Sequence, residues 1–332
     1  MTAPSKATAV AHPNLALVKY WGKRDESLIL PHQSSLSITL APLEVRATVQ
    51  WGASVDQVAI NGRPALAIER ERIAVITERI RSAVGGQLGA VRVETRGDFP
   101  PAAGLASSAA AFAAIAVAAR AAAGLAYDVR DASQLARFGS GSACRSIQGG
   151  TCIWRRGTRA DGTDSFAEQI FDERHWPELR FVAALFSETA KEVSSREGMR
   201  RTVETSPYYA AWSADAEAEV ARAVESVRDR NLEGLGQIAE RSAWRMHAAA
   251  LAADPALCYL RPATLELILR VQRERAARLP VWFTLDAGPN PFILTDVAHE
   301  NEAERIALAS GAREVIRCLP GGDARLISDH LF

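Results

Sequence analysis

The alternation of apolar and polar residues along the first half of the chain predicts short strands around long helices. Residues 35–40 alternate strictly, and similar patterns predict strands at 8–10, 16–20, 45–51, 55–60, 91–95 and 149–155. Gly52-Ala53 predicts a turn, and Asn61-Gly62 predicts a tight hairpin. Helical periodicity predicts helices over 68–84, over about 105–123 and from 131 onward, the first two ending at glycines.

The pattern restarts after Pro177 and continues through the second half. It predicts strands at 179–186, 281–285, 291–294 and 314–318, and helices over 208–228, 232–250, 264–275 and 300–310. Because strands and helices mix in both halves, and 332 residues are many for one hydrophobic core, we expect an α+β protein of two domains. The predicted division is 1–182 and 183–332.

The composition argues against several classes of protein. The 39 basic and 39 acidic residues cancel, so the chain lacks the broad positive field typical of nucleic-acid-binding proteins. Four cysteines without metal-like or CxxC spacing predict buried free thiols in a reducing cytoplasm. The N-terminus has no hydrophobic signal core, and the longest uncharged run, 99–119, is too weakly apolar for a membrane span. We therefore expect a cytoplasmic protein without membrane or nucleic-acid partners. A net charge of zero still allows a local basic pocket for a small anion.

Residues 98–112 form a stretch of small residues that leads into an alanine-rich helix. Backbone N–H groups in such a turn, together with the helix dipole, attract phosphate, and the hydroxyls of Ser107 and Ser108 extend the site to a phosphate oxygen or its Mg²⁺. No Gly-Lys-Ser/Thr follows, so this is not a Walker loop. The alternative is a core helix started by proline and capped by serines, and the segment alone does not separate the two interpretations.

Two polar clusters in the first half have alternative explanations. Lys19 interrupts an apolar run, and a buried lysine requires a carboxylate partner. Its alternative is an edge strand with Lys19 pointing into water. In 139–149, small residues surround Arg145, whose planar guanidinium suits a carboxylate or a phosphate. The alternative there is a loop whose serines cap a helix.

Two further clusters lie in the second half. In 192–199, the serines cap the following helix, or they close on an anion together with Arg196 and Met199. Asp286 stands at a strand end before Gly288-Pro289, either as a functional carboxylate or as the first residue of an Asx turn. No single cluster identifies a function.

Taken together, six motifs closely resemble the diphosphomevalonate decarboxylase family of the GHMP kinase superfamily. They are Lys-Tyr-Trp-Gly-Lys at 19–23, Ser-Ser-Leu-Ser-Ile-Thr-Leu at 34–40, Ala-Ala-Gly-Leu-Ala-Ser-Ser at 102–108, Gly-Ser-Ala-Cys-Arg-Ser at 141–146, Ser-Ser-Arg-Glu-Gly-Met at 194–199 and Asp-Ala-Gly-Pro-Asn at 286–290. They follow the family's order over most of the chain. The resemblance implies an N-terminal domain like ribosomal protein S5 domain 2, a C-terminal ferredoxin-like domain and a homodimer.

The resemblance also implies an enzyme that uses ATP and Mg²⁺ to convert (R)-5-diphosphomevalonate into isopentenyl diphosphate, CO₂, ADP and phosphate, in the mevalonate route to isoprenoids. Phosphorylation turns the tertiary 3-oxygen into a leaving group, and its departure leaves positive charge at C3 that loss of CO₂ removes. This chemistry requires a carboxylate near the 3-hydroxyl, a position that the resemblance gives to Asp286. Lys19 would keep Asp286 ionised, and Arg145 would hold the C1 carboxylate of the substrate.

The resemblance assigns further residues to the substrate and the nucleotide. The implied substrate set is Tyr20, Trp21, Lys23, Arg72, Ser140, Gly141, Ser142, Arg145, Ser194, Ser195, Arg196 and Met199. The implied ATP-phosphate set is Ala103, Gly104, Leu105, Ala106, Ser107 and Ser108, with Ser107 or Ser108 near the Mg²⁺. The assignment of Arg72 to the substrate set rests on aligning its helix with the family across a variable stretch of sequence.

Two residues depart from the family pattern and leave the 5-substituent of the substrate open. Gln33 stands where the family has asparagine, and Gln148 where an aromatic or aliphatic residue precedes Gly-Gly. A phosphomevalonate decarboxylase or a mevalonate 3-kinase is the near alternative, although Asp286, Lys19 and Arg145 together favour decarboxylation. A non-catalytic binding protein for nucleotides or isoprenoid phosphates is the alternative of another class, and it would be expected to have lost the acidic residue.

Overall fold

The computed structural model describes residues 6–86, 88–99, 105, 107–186 and 192–332. The strands are β1 (Lys6–Ala11), β2 (Asn14–Val18), β3 (Lys23–Asp25), β4 (Leu30–Pro31), β5 (Ser35–Ala41), β6 (Val45–Ala53), β7 (Gln57–Ile60), β8 (Arg63–Pro64), β9 (Ala90–Gly97), β10 (Thr151–Trp154), β11 (Ala167–Phe171), β12 (Leu179–Leu185), β13 (Trp282–Thr284), β14 (Phe292–Asp296), β15 (Glu314–Pro320) and β16 (Arg325–Ile327). The helices are α1 (Ala67–Ala83), α2 (Ser107–Ala122), α3 (Val129–Gly139), α4 (Ser195–Thr205), α5 (Tyr209–Ala214), α6 (Ala216–Arg228), α7 (Leu232–Leu251), α8 (Pro262–Ala276) and α9 (Glu300–Ala309), and a 3₁₀ helix spans Gly141–Ser146.

Strands from both halves of the chain share the two large sheets. The six-stranded sheet has the order β16-β1-β6-β9-β7-β8 and is antiparallel except between β7 and β9. The eight-stranded sheet has the order β11-β10-β5-β15-β12-β14-β13, and β2 also pairs with β5. This mixture of sheets and helices confirms the predicted α+β class. The predicted division after residue 182 lies inside β12, and it stays a prediction.

Helices pack on both large sheets, and apolar cores lie between them. Helices α1, α2 and α3 enclose a core against the six-stranded sheet, in which Ile73, Val49 and most alanines of α2 are buried. Because alanine side chains are short, α2 lies close to strands β1 and β6. Helices α6 and α7 enclose a second core, and α8 and α9 contribute to a third around Phe283. Among the described residues, no helix is both long and apolar enough to cross a membrane.

The alternation at 35–40 gives β5 two chemically different faces. Leu36, Ile38 and Leu40 are buried in the second core, which also contains residues of β12 and β14. The intervening Ser35 and Ser37 turn their hydroxyls to the guanidinium of Arg145. The same strand therefore joins the hydrophobic core to the candidate site.

The structure corrects two predictions and confirms a third. No turn forms at Gly52-Ala53; β6 continues to Ala53, and Gly52 (φ +82°) produces a register shift in the ladder with β9. The helix predicted over 208–228 is two helices, α5 and α6, which meet at Asp215. The Asn61-Gly62 hairpin is confirmed, since both residues have positive φ and join β7 to β8.

The core shared by the two halves makes Phe181 a test of the fold. Phe181 is fully buried on β12, between β14 and β15. We expect Phe181→Ala to lower the free energy of unfolding by about 3–5 kcal/mol, because a large apolar side chain is lost and a cavity remains. Urea unfolding measures this change. Leu269→Ala, at an exposed position on α8, is the control and should stay within about 0.5 kcal/mol; equal effects of the two substitutions would contradict the assigned core.

Candidate active site

A buried ion pair joins the two halves of the chain. The Lys19 ammonium lies 2.7 Å from Oδ1 of Asp286, and it also donates to the carbonyl of Ala16 at 2.7 Å. The Lys19 side chain is 1% exposed, whereas that of Asp286 is 34% exposed. Lys19 therefore lies sealed behind a carboxylate that a ligand can reach.

The electrostatics of the pair follow from this burial. Removal from water lowers the pKa of Lys19, and the charge of Arg145 lowers it further, whereas Asp286 raises it through its charge and its hydrogen bond. The alternative of an edge lysine pointing into water is wrong, because the side chain points inward and has a carboxylate partner. Both predicted partners are thus brought together although 267 residues separate them.

Arg145 is a buried cation held by neutral groups. Its Nε donates to Ser37 Oγ at 2.9 Å and to Asn14 Oδ1 at 3.2 Å, and its Nη1 donates to Ser35 Oγ at 2.6 Å. Within the described ranges, no carboxylate lies at ion-pair distance from it, and burial lowers its pKa. A desolvated guanidinium that no carboxylate of the described residues contacts directly is suited to receive an anionic group from a ligand.

Three further cations lie near one another. Lys23 is buried, and its pKa is lowered first by burial and then by the charges of Arg196 and Arg72, while Glu26 opposes the shift. Arg72 donates its Nε to the carbonyl of Gly139 at 2.7 Å and lies over the ring of Phe112 at 4.4 Å. Burial and the charge of Arg196 lower the pKa of Arg72 to about 10. Three mutually repelling cations would be stabilised by a polyanion.

Glycines allow this arrangement at two positions. Gly22 has φ +106°, which lets Trp21 pack into an aromatic core while Lys23 enters strand β3. A side chain at Gly141 would meet the hydroxyl of Tyr20 at 2.8 Å. Gly141 therefore provides space in the site rather than a contact.

Several predicted ligand residues have structural partners. Trp21 donates Nε1 to Thr202 Oγ1 at 3.0 Å and packs edge-on against Tyr259. Ser194 accepts a hydrogen bond from the N–H of Glu197 at 3.2 Å, so the capping alternative holds for its hydroxyl. Met199 packs against both aromatic clusters beside the site.

The remaining predicted substrate residues lie on different elements. Tyr20 packs edge-on against Trp154 at 4.6 Å, and its buried hydroxyl has no partner among the described residues. Burial raises the pKa of Tyr20, and the charge of Glu26 adds to this shift. Ser140 ends α3, Ser142 lies in the 3₁₀ helix, and Ser195 begins α4.

The predicted nucleotide site is described only in part. Ser107 begins α2, Ser108 is exposed beside it, and Leu105 is buried, whereas Ala103, Gly104 and Ala106 lie outside the described residues. Two hydroxyls at a helix N-terminus fit the phosphates of a nucleotide and an Mg²⁺ ion that is held chiefly by phosphate oxygens and water. The described part of the chain contains no group of three His, Cys, Asp or Glu residues placed to bind a metal.

Sequence reasoning missed the residues that orient the charged groups. Ser242 on α7 accepts the backbone N–H of Lys19 at 2.9 Å, and Gln33 donates to the Lys19 carbonyl at 3.3 Å. Asn14 and Ser37 were likewise given no role. Two signals in the sequence indicate Ser37: the family motif at 34–40 contains it, and the alternation of β5 places Ser35 and Ser37 on one face.

Two family models match most of the chain. A diphosphomevalonate decarboxylase-like N-terminal domain model matches residues 11–167, and a mevalonate 5-diphosphate decarboxylase C-terminal domain model matches residues 181–310. The diphosphomevalonate decarboxylase of Homo sapiens is 38% identical over 308 residues, which cover 87% of this chain and 76% of the human protein.

Solved structures are similar over almost the whole chain. The structure of MDDEF in complex with MVAPP, AMPPCP and magnesium is 36% identical, with a TM-score of 0.89 over 97% of this chain and 99% of that one. A second structure describes the mevalonate diphosphate mediated ATP binding mechanism of the mevalonate diphosphate decarboxylase from Enterococcus faecalis. That protein is 35% identical, with the same TM-score and coverage. The shared sheets and helices define the GHMP kinase fold. Within that class, the chain belongs to the diphosphomevalonate decarboxylase family.

The buried ion pair predicts how stability depends on pH. In Asp286→Ala, Lys19 loses its carboxylate, and we expect the free energy of unfolding at pH 7 to fall by about 2–4 kcal/mol. The pKa of Lys19 in the folded protein lies below its ordinary 10.5 and falls further in this variant. The folded variant therefore loses the Lys19 proton at a lower pH than the folded wild type. The difference in free energy of unfolding between the two proteins should shrink as pH rises toward 10.5.

Urea unfolding of wild type and Asp286→Ala at pH 7 and pH 9.5 measures this difference. The control Lys19→Met/Asp286→Ala removes both charges and should recover most of the stability at pH 7. A deficit that is independent of pH would contradict the assignment of Lys19 as a buried cation.

Proposed function

We propose that the protein catalyses the ATP-dependent decarboxylation of (R)-5-diphosphomevalonate to isopentenyl diphosphate, CO₂, ADP and phosphate. The observation that carries this proposal is the Lys19–Asp286 pair, whose buried ammonium lies behind an accessible carboxylate, together with the buried Arg145 that has no ion-paired carboxylate among the described residues. It is supported by membership of the family and by the relative whose structure contains MVAPP, AMPPCP and magnesium.

Asp286 acts on the 3-hydroxyl of the substrate. Lys19 bonds Oδ1, so the second carboxylate oxygen of Asp286 is available to accept a hydrogen bond from that hydroxyl. The negative charge of Asp286, which Lys19 maintains, then stabilises positive charge as it develops at C3. Because Lys19 is fixed from several sides, the carboxylate is oriented before the substrate arrives.

Arg145 receives the C1 carboxylate of the substrate. Asn14, Ser35 and Ser37 fix the guanidinium with neutral oxygens, so no resident anion has to be displaced when the carboxylate binds. A carboxylate held at this position is aligned for elimination as CO₂, and its negative charge compensates the buried cation.

The 5-diphosphate is held by the pocket of Lys23, Arg72 and Arg196. Three cations whose charges act on one another favour a diphosphate over a neutral 5-hydroxyl and stabilise it more strongly than a monophosphate, since the attraction grows with ligand charge. The predicted substrate residues Tyr20, Ser140, Ser142, Ser195 and Met199 surround this pocket and Arg145 in the proposal.

The start of α2 holds the nucleotide. Ser107 and Ser108 would contact the phosphates or the Mg²⁺ of ATP, together with the preceding residues that the family motif assigns. Mg·ATP supplies the phosphoryl group that makes the 3-oxygen a leaving group. The charged residues of this chain orient the acceptor hydroxyl and the carboxylate.

The proposal extends to the assembly and the compartment. We propose a homodimer, as the family resemblance implies, with domains 1–182 and 183–332. A cytoplasmic location is supported by the four cysteines, all unpaired and three of them buried, which suit a reducing compartment.

A product assay tests the reaction. The protein is incubated with Mg·ATP and, separately, with mevalonate, its 5-phosphate and its 5-diphosphate, while ADP and CO₂ are followed together. We expect equal amounts of ADP and CO₂ with the diphosphate only, because the cation pocket requires that charge. CO₂ from the monophosphate would make the protein a phosphomevalonate decarboxylase, and ADP without CO₂ would make it a 3-kinase.

The carboxylate has its own test. Asp286→Asn keeps the shape of the side chain and an oxygen for Lys19 but removes the negative charge. We expect turnover to fall at least about a thousandfold, because both hydroxyl orientation and charge stabilisation are lost, while nucleotide binding followed by calorimetry is retained. Near wild-type turnover in this variant would remove Asp286 from the mechanism.

A further inference from the structure

Glu26 is the exposed ion-pair partner of Lys23, one of the three cations proposed to hold the diphosphate. Its carboxylate lies 2.5 Å from the ammonium of Lys23. The Lys23 side chain is 3% exposed and that of Glu26 is 51% exposed, so the pair is not an ordinary surface ion pair. Its cationic member is fixed inside the protein, and its anionic member extends from the surface.

The backbone that carries Glu26 is fixed independently of this pair. Asp25 Oδ1 accepts hydrogen bonds from the N–H and hydroxyl of Ser27 and from the N–H of Leu28, each at 2.8 Å. Gly22 and strand β3 place Lys23 on the other side. The Glu26 side chain can therefore rotate away from Lys23 into water without any change in the turn.

The charges around Lys23 make Glu26 its local counter-ion. Arg196 and Arg72 repel the ammonium, and Glu26 attracts it. A second acid near Arg72, Glu69, bonds Arg63 at 2.7 Å and the N–H of Leu66 at 2.7 Å, so it is engaged at the start of α1. Glu26 is thus the carboxylate whose position a ligand can change.

We propose that Glu26 is a displaceable counter-ion that occupies Lys23 until a phosphate-bearing ligand replaces it. The inference rests on the proposed function for the identity of that ligand, a 5-diphosphate, but its electrostatics require only an anion at Lys23. Glu26 stabilises the empty pocket and lowers the affinity for phosphate groups, since its interaction with Lys23 is given up when they bind. Its return to Lys23 would favour departure of the diphosphate product.

Calorimetric titration with inorganic pyrophosphate tests the proposal on the full chain. We expect Glu26→Gln to bind pyrophosphate about two- to fivefold more tightly than wild type, the size of effect typical of a partly exposed ion pair. In a Lys23→Gln background, Glu26→Gln should have no effect. This double-mutant comparison also separates binding at Lys23 from binding at the start of α2, where the same probe is accepted.

Glu266→Gln is the matched control. Glu266 is half-exposed and bonds Arg270 on α8 at 2.9 Å, so its substitution changes the net charge by the same amount. We expect no change in pyrophosphate affinity, since salt screens charges at a distance. Thermal unfolding of each variant verifies that it is folded.

Three results would overturn the proposal: unchanged, weaker or undetectable binding in Glu26→Gln, an equal gain in the Lys23→Gln background, or an equal gain in Glu266→Gln. None of these readouts requires turnover. A wild-type protein that released no CO₂ would therefore remove the proposed function while leaving the Glu26 result to be judged separately.

Discussion

The structure depends on one buried ammonium group. Lys19 follows strand β2 and its side chain is 1% exposed, and a cation buried in this way is tolerated only beside a carboxylate. Asp286, just beyond β13, supplies it, and Ser242 on α7 accepts the Lys19 N–H. The burial of Lys19 thus ties α7 and the end of β13, in the second half of the chain, to β2 in the first half. It also leaves the carboxylate of Asp286 oriented and open to a ligand.

The remaining charges share one property, since Arg145 and Lys23 are buried and few carboxylates of the described residues oppose them. Arg145 is held by hydroxyls and an amide, and Lys23 shares its surroundings with two arginines. An empty site of this kind lowers the stability of the folded protein. A ligand with one negative group for Arg145 and another for Lys23 would raise that stability. A substrate that carries a carboxylate at one end and a diphosphate at the other matches this arrangement, and Glu26 provides temporary compensation at one of the two places.

Much of the fold followed from local pattern, and less of the site did. The alternation at 35–40 predicted β5 and its two faces, while Gly52 was interpreted as a turn because a bulge and a turn require the same positive φ. Burial of an interrupting lysine predicted a carboxylate for Lys19, but the partner lies 267 residues away, and only the family motifs indicated which acid it is. Ser242 had no local signal, since one serine in an amphipathic helix is unremarkable until its neighbour is known.

The most direct test of the account is a crystal structure of the protein with mevalonate diphosphate and a non-hydrolysable ATP analogue. The account predicts the 3-hydroxyl within hydrogen-bonding distance of Asp286, the C1 carboxylate on Arg145 and the diphosphate at Lys23, with the Glu26 carboxylate moved away. A substrate bound in the reverse direction, with its diphosphate at Arg145, or a 3-hydroxyl distant from Asp286 while Lys19 and Asp286 remain paired, would contradict it.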